Sequence, residues 1–215
     1  MEENKPKIKK EREKSLAREI MEWIFCLLAA FIIAVVIKYF IFTPTLVQQG
    51  SMTPTILNGE RVLINRLVRT FNMPIFRGDI ITFEMPAATN DDGTAYYDEN
   101  SGVMTFILHD LLEITKTSYI KRVIGVAGDH VKITEDGEVY INGQKLNEEY
   151  LVDDLKTPTG EYNDLIVPDG YVFVMGDNRT GSTDSRVFGC IPLSKVEGRV
   201  RYRIWPLDRF GKIDN

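Results

Sequence analysis

The sequence predicts a mainly β protein: an antiparallel β-sheet domain carried on a single N-terminal transmembrane helix. Three observations predict it. The twenty residues from Trp23 to Phe42 hold one charge, Lys38. Beyond them come short runs rich in β-branched and aromatic side chains, which suit a pleated, half-buried strand. Between those runs stand glycines, prolines and Asp-Gly or Asn-Gly pairs, with no amphipathic helical run and no internal repeat.

Composition narrows the class further. A hydrophobic share of 44% over 215 residues supplies a packed core, which excludes a disordered tail or a collagen-like repeat. A formal net charge of −5 leaves nothing to neutralise a row of phosphates, so no nucleic-acid partner is expected. The cysteines, Cys26 inside the apolar run and Cys190 far beyond it, are too few for a disulfide framework and are not expected to pair.

Taken in order, residues 1–22 are a basic head, with seven Lys and Arg among six acids. Residues 23–42 follow as the membrane span, since twenty helical residues rise roughly 30 Å, the thickness of the hydrocarbon core. Lys38 lies one turn from the far end, where its stem reaches the interface. The run is too long for the apolar core of a removable leader, and no A-x-A-like site follows it in FTPTLVQQG, so an uncleaved anchor is expected. The positive-inside rule counts Lys and Arg alone. It assigns the head to the cytoplasm and residues 43–215 to the other side of the cell membrane, a single-pass arrangement with the bilayer as a partner.

The outer part reads as strands: RVLINRL (61–67), DIITFEM (79–85), YIKRVIGV (119–126), YVFVMG (171–176) and RVRYRIW (199–205). In VKITEDGEVYING, alternating Val131, Ile133, Val139 and Ile141 flank Asp136-Gly137, expected as a type I′ turn, and Asn142-Gly143 supplies a second turn. Residues 86–118 read as an insertion in which a polar loop leads into VMTFILHDLLEIT, apolar and open to a helical reading.

No metal or cofactor site is expected: the two histidines, His109 and His130, have no second His or Cys at ligand spacing. Cys190 in FGCIP reads as a small buried apolar residue. Three separated segments stand out instead. GSMTPT carries Ser51 nine residues beyond the apolar run; YIKRVIGVAGD embeds Lys121 in a strand; GDNRTGSTDSRVFG is a dense polar run after an apolar strand. The strand's alternation separates Tyr119, Lys121 and Val123 from Ile120, Arg122 and Ile124, so one of the two basic residues is expected to point inward.

Taken together, the anchor, GSMTPTI with its following Gly, RGDI (77–80), YIKRVIGVAGD (119–129) and GDNRTGSTDSRVFG (176–189) resemble, in that order, the bacterial type I signal peptidases in their single-anchor, Gram-positive form. These are membrane-anchored serine proteases that remove leader peptides from exported preproteins. The resemblance covers roughly residues 23–205 without the insertion. It implies that Ser51 is the nucleophile and Lys121 its general base, that Ser182 orients the lysine amine by a hydrogen bond, and that Asp184 and Arg186 pair to brace a loop whose turn Asp177, Asn178 and Arg179 shape. Some family members carry, two positions before the nucleophile, a serine that donates to the oxyanion. Here that position is Gln49, leaving the Ser51 N–H as the assured donor and the Gln49 amide as a candidate. Val47 and Ile120 are implied to line the pockets for small substrate residues.

The chemistry agrees with those residue types. A serine hydroxyl is a weak nucleophile until a base takes its proton. A lysine with its ordinary pKa of about 10.4 is almost wholly charged at pH 7, so it acts as that base only where burial disfavours the cation. Two rival readings stand beside this one: the first keeps the chemistry and changes the substrate, and the second differs in class. Self-cleaving repressor-type proteases share the dyad but need no span; a catalytically silent, membrane-anchored assembly or binding module would ordinarily have lost Ser51 or Lys121.

Overall fold

In the computed structural model, which describes residues 6–90, 93–97, 117–152 and 155–213 (6–15 as backbone alone), the chain divides into two compact units, Met1–Phe40 and Ile41–Asn215. The first is one helix, α1 (Pro6–Phe40). Its Leu16–Phe40 stretch is long and apolar enough to cross a membrane. Trp23, Phe25, Leu27 and Phe31 all stand exposed along it, an apolar surface suited to lipid rather than water. The helix takes in much of the basic head and stops two residues before Phe42. Pro44 disfavours helical backbone at Thr43, and Phe42 opens a strand instead.

The second unit is built from short strands: β1 (Phe42–Leu46), β2 (Arg61–Asn65), β3 (Ile80–Glu84), β4 (Ala88–Thr89), β5 (Ala95–Tyr96), β6 (Ser118–Val126), β7 (His130–Ile133), β8 (Val139–Ile141), β9 (Gln144–Lys145), β10 (Asp164–Ile166), β11 (Tyr171–Met175), β12 (Ile191–Pro192), β13 (Val196–Trp205) and β14 (Gly211–Lys212). The main sheet runs β1-β2-β13-β3-β6-β11-β12, with β14 also on β13. A second sheet runs β10-β7-β8-β9, and β4 pairs with β5. All these strand pairings are antiparallel. The fold is therefore mostly antiparallel β with one long N-terminal apolar helix, as the punctuation and patterning required.

Three buried clusters hold the sheets together. Ile81, Phe83, Val123, Val174 and Phe188 belong to one. Ile124, Val131, Ile141, Phe173 and Cys190 belong to the next. Val47, Met52, Ile56, Ile64, Ile80 and Val200 form the third. Alternate residues of β6 thus enter different clusters, because the sheet is covered on both faces. That overturns the expectation that only one basic residue of this strand points inward: Lys121 is 1% exposed and Arg122 0%.

Two local readings are also corrected. RVLINRL leaves the sheet after Asn65, and Leu67–Thr70 forms a helical turn, α2. Asp136-Gly137 is not a type I′ turn. Gly137 has φ +83° but Asp136 is not left-handed, and Gly137 N–H donates to Thr134 O while Thr134 N–H donates to Glu138 O. This is a turn followed by a left-handed glycine bulge. The type I′ signature falls on the second pair, where Asn142 (φ 53°) and Gly143 (φ 78°) join β8 to β9. Of the insertion, Ala95, on β5, and Tyr97 are buried in the first cluster, while β4 stays at the surface. The helical reading of 103–115, and with it His109, lies outside the described residues.

Candidate active site

Ser51 sits in a turn between β1 and β2. The base of this segment is closed by Val47 N–H to Glu60 O and Gly59 N–H to Val47 O, both 2.8 Å, and Met52 and Ile56 anchor it in the third cluster. Lys121 comes from the middle of β6, flanked by β3 and β11 and paired with Ile81. Seventy residues apart in sequence, the two meet: Lys121 Nζ lies 2.8 Å from Ser51 Oγ in a hydrogen bond, and Ser51 is only 5% exposed.

The amine is dry. The Tyr119 ring centroid is 4.9 Å from Nζ, and that ring stacks on Phe188 while Phe83 meets it edge-on. Burial pushes the Lys121 pKa down to about 8; Asp184 pulls against it, Arg186 adds to the fall, and Asp177 pulls back least of the four. The carboxylates do not prevail because each is already paired. Asp184 is held by Arg186 through two contacts of 2.8 Å, and Asp177 by Arg122 at 2.9 and 2.8 Å. A paired anion exerts little net field on the neighbouring amine, so desolvation decides the sign.

The polar run after β11 builds the other wall. Asp184 also accepts the Gly176 N–H (3.0 Å) and caps α3 (Ser185–Phe188) through the Arg186 N–H. Arg186 donates further to Arg179 O and Pro158 O. Asn178 donates its N–H to Ser51 O (3.0 Å) and its side-chain amide to Gly50 O (3.1 Å), clasping the Ser51 turn from outside. Arg179, 1% exposed, ties the run to Glu148 and Thr157. The Ser51 N–H has no hydrogen-bond partner among the described residues.

Ser182 departs from its expected role. It makes no hydrogen bond to Lys121; its Oγ is buried and without a partner. It packs instead against Gly176, where a Cβ would stand 2.3 Å from Ser182 Oγ and 2.4 Å from Ser51 O. Gln49 is exposed. Val47 is 5% exposed and packs in the third cluster, and Ile120, half-buried, packs against the same cluster. His130 is half-buried on β7, 2.5 Å from Asp164.

Sequence reasoning missed Arg122 and Thr55. Arg122 was assigned to the face opposite Lys121 and given no work, yet it carries the Asp177 pair and stacks on Tyr150, 3.8 Å from the ring centroid. Thr55 Oγ1 donates to Asp177 Oδ2 at 2.5 Å. The only sequence signals were that Arg122 follows Lys121 directly and that Thr55 closes the GSMTPT motif.

A serine hydroxyl in contact with a buried amine of lowered pKa, within an antiparallel β domain, has what a serine hydrolase needs: a nucleophile and a base able to be neutral. The family model described as signal peptidase, peptidase S26, matches residues 20–205. Signal peptidase IB of Staphylococcus aureus strain COL is 34% identical over 210 residues, covering 91% of this chain and 94% of that protein. Its counterpart from strain Mu50 is 33% identical over the same length. A crystal structure of a signal peptidase I from Enterococcus faecalis V583 is 27% identical and covers 59% of this chain and 96% of that one, with a TM-score of 0.39. The chain belongs to the signal peptidases of family S26.

Proposed function

We propose that this chain is a membrane-anchored signal peptidase I that removes leader peptides from exported preproteins after small residues, at A-x-A-like sites, with Ser51 as nucleophile and Lys121 as general base. The observation that carries the assignment is the 2.8 Å contact between a buried amine and a buried hydroxyl. With Lys121 neutral, the Ser51 hydroxyl donates to the amine lone pair. Oγ attacks the scissile carbonyl carbon as the proton passes to Nζ. The resulting ammonium returns that proton to the leaving amine, and the acyl-enzyme remains on Ser51. Neutral again, Lys121 takes a proton from water as its oxygen attacks the ester, then returns that proton to Ser51 Oγ as the ester bond breaks, freeing the leader's new carboxyl terminus and restoring the serine.

The Ser51 N–H, free of other partners among the described residues, is aimed by the Asn178 clasp and receives the developing oxyanion. Gln49 supplies a second donor; Gln49→Ala with an unchanged cleavage rate would dispose of that part. Val47 and Ile120 shape the pockets for small substrate side chains. The apolar helix anchors the chain once, head inward and residues 43–215 outward. Enzyme and membrane-borne leader then share one plane, which shortens the search for productive encounters.

Detergent-solubilised protein incubated with a preprotein tests the reading. Cleavage after A-x-A is expected from the native chain and none from Ser51→Ala; equal cleavage by both would remove Ser51 from the chemistry.

A further inference from the structure

The turn that carries Ser51 hangs between two buried ion pairs, and one residue touches both. On one side, Glu60 is 3% exposed, accepts from Arg203 Nε at 2.6 Å and from the Leu57 N–H at 3.1 Å, and forms an ion pair with Arg209, whose Nη1 lies 2.6 Å from the other carboxylate oxygen. Arg203 sends its Nη2 to the Thr55 carbonyl at 2.6 Å. On the other side, Arg122 grips Asp177, and Asp177 Oδ2 accepts the Thr55 hydroxyl at 2.5 Å. Thr55 is thus held by its carbonyl from the β13 side and by its hydroxyl from the β6–β11 side. Arg122 and Lys121 are neighbours on β6, and Asp177 precedes Asn178, which clasps Ser51 O.

Resting on the reading of Ser51 and Lys121 as nucleophile and base, we propose that Thr55 is a positioning residue. Its γ-hydroxyl, bonded to Asp177, locks the Ser51 turn onto the strand that delivers Lys121. Without that hydroxyl the turn keeps its base, the Arg203 bond to the Thr55 carbonyl and the Asn178 clasp, but it loses its side-chain tie to Asp177 and so to Arg122 on β6, and Ser51 shifts relative to the amine. Small displacements between reacting groups lower kcat while leaving substrate affinity alone.

The test compares Thr55→Val, which keeps shape and removes the hydroxyl, with Thr55→Ser, which keeps the hydroxyl. Ser51→Ala and the native chain are run alongside on a soluble A-x-A peptide, and melting is recorded for each. Thr55→Val is expected to lower kcat about tenfold or more, with KM changed by less than about twofold, as for one lost charge-assisted hydrogen bond. Thr55→Ser is expected to stay within about threefold of native on the same scale. Native-like kcat in Thr55→Val overturns the proposal. So does a loss that Thr55→Ser fails to restore, or one that merely tracks a fallen folded fraction. A native chain that cleaves nothing, or no more than Ser51→Ala, defeats the underlying reading instead, so the two failures are told apart.

Discussion

In the proposed mechanism Lys121 concentrates both the chemistry and its cost in one side chain. A lysine base acts in its neutral form, so under that mechanism kcat/KM should rise with pH and level off above an apparent pKa of about 8, the value to which burial lowers this amine. A limb near 6.5, the range of an unperturbed imidazole, would contradict a lysine base. Lys121→Arg should be inactive throughout, because a guanidinium keeps its proton. The same shift bears on stability. An unfolded lysine titrates near 10.5 and the folded one near 8, so between those values the unfolded chain binds more protons and stability climbs with pH. Below pH 8 the penalty is fully present, of order 3 kcal/mol for a shift of this size. Lys121→Met should therefore be inactive yet melt higher than the native chain at pH 7. That advantage should shrink as pH is raised from 8 to 10.5. A Lys121→Met chain that melts lower at pH 7 would show that the lysine's contacts outweigh its desolvation.

At the scale of elements, the site depends on how closely β11 and the polar run approach the Ser51 turn. Gly176 ends the strand, and the absence of a Cβ there admits both Ser182 and the Ser51 carbonyl. β11 itself carries an irregularity between Phe173 and Val174, where the Val174 N–H turns to Ser185 Oγ at 2.9 Å, so the strand's end and the start of α3 are tied together. Gly176→Ala is expected to cost about 1–3 kcal/mol through overpacking. It should also lower kcat, because Ser51 O cannot retreat without losing the Asn178 N–H. A denaturation midpoint and a peptide-cleavage rate check the two effects; an alanine variant native in both would mean that the turn has room the structure denies it.

For the whole molecule, the division into units puts the proposed reaction in one unit and the apolar helix, the proposed anchor, in the other. Every contact described at the site lies within Ile41–Asn215. A chain lacking residues 1–40 should therefore cleave a soluble A-x-A peptide within about threefold of the full-length rate. It should process a bilayer-embedded preprotein at least about tenfold more slowly, through lost effective concentration. Equal loss on both substrates would mean that the helix supports the fold of the peptidase unit rather than its delivery.

Much of this protein is written locally and is legible residue by residue. A long apolar run makes a helix suited to lipid wherever it stands, and alternating Val, Ile and aromatic side chains make strands. The runs at 79–85, 119–126, 171–176 and 199–205 became β3, β6, β11 and β13 for that reason. The candidates Ser51, Lys121, Asp184 and Arg186 were likewise recognisable from ordered motifs. Turn type was harder, because Asp-Gly and Asn-Gly share a preference and the bonds made by Thr134 chose between them. What the sequence by itself determined was the set of elements and the residues able to do chemistry. Only the tertiary structure decided that Arg122 is buried on Asp177, that Thr55 joins two ion pairs, and that Ser182 packs on Gly176 without reaching the lysine. A strand's period says which side chains share a face; whether that face is dry, and which distant charge neutralises its neighbours, depends on what packs over it.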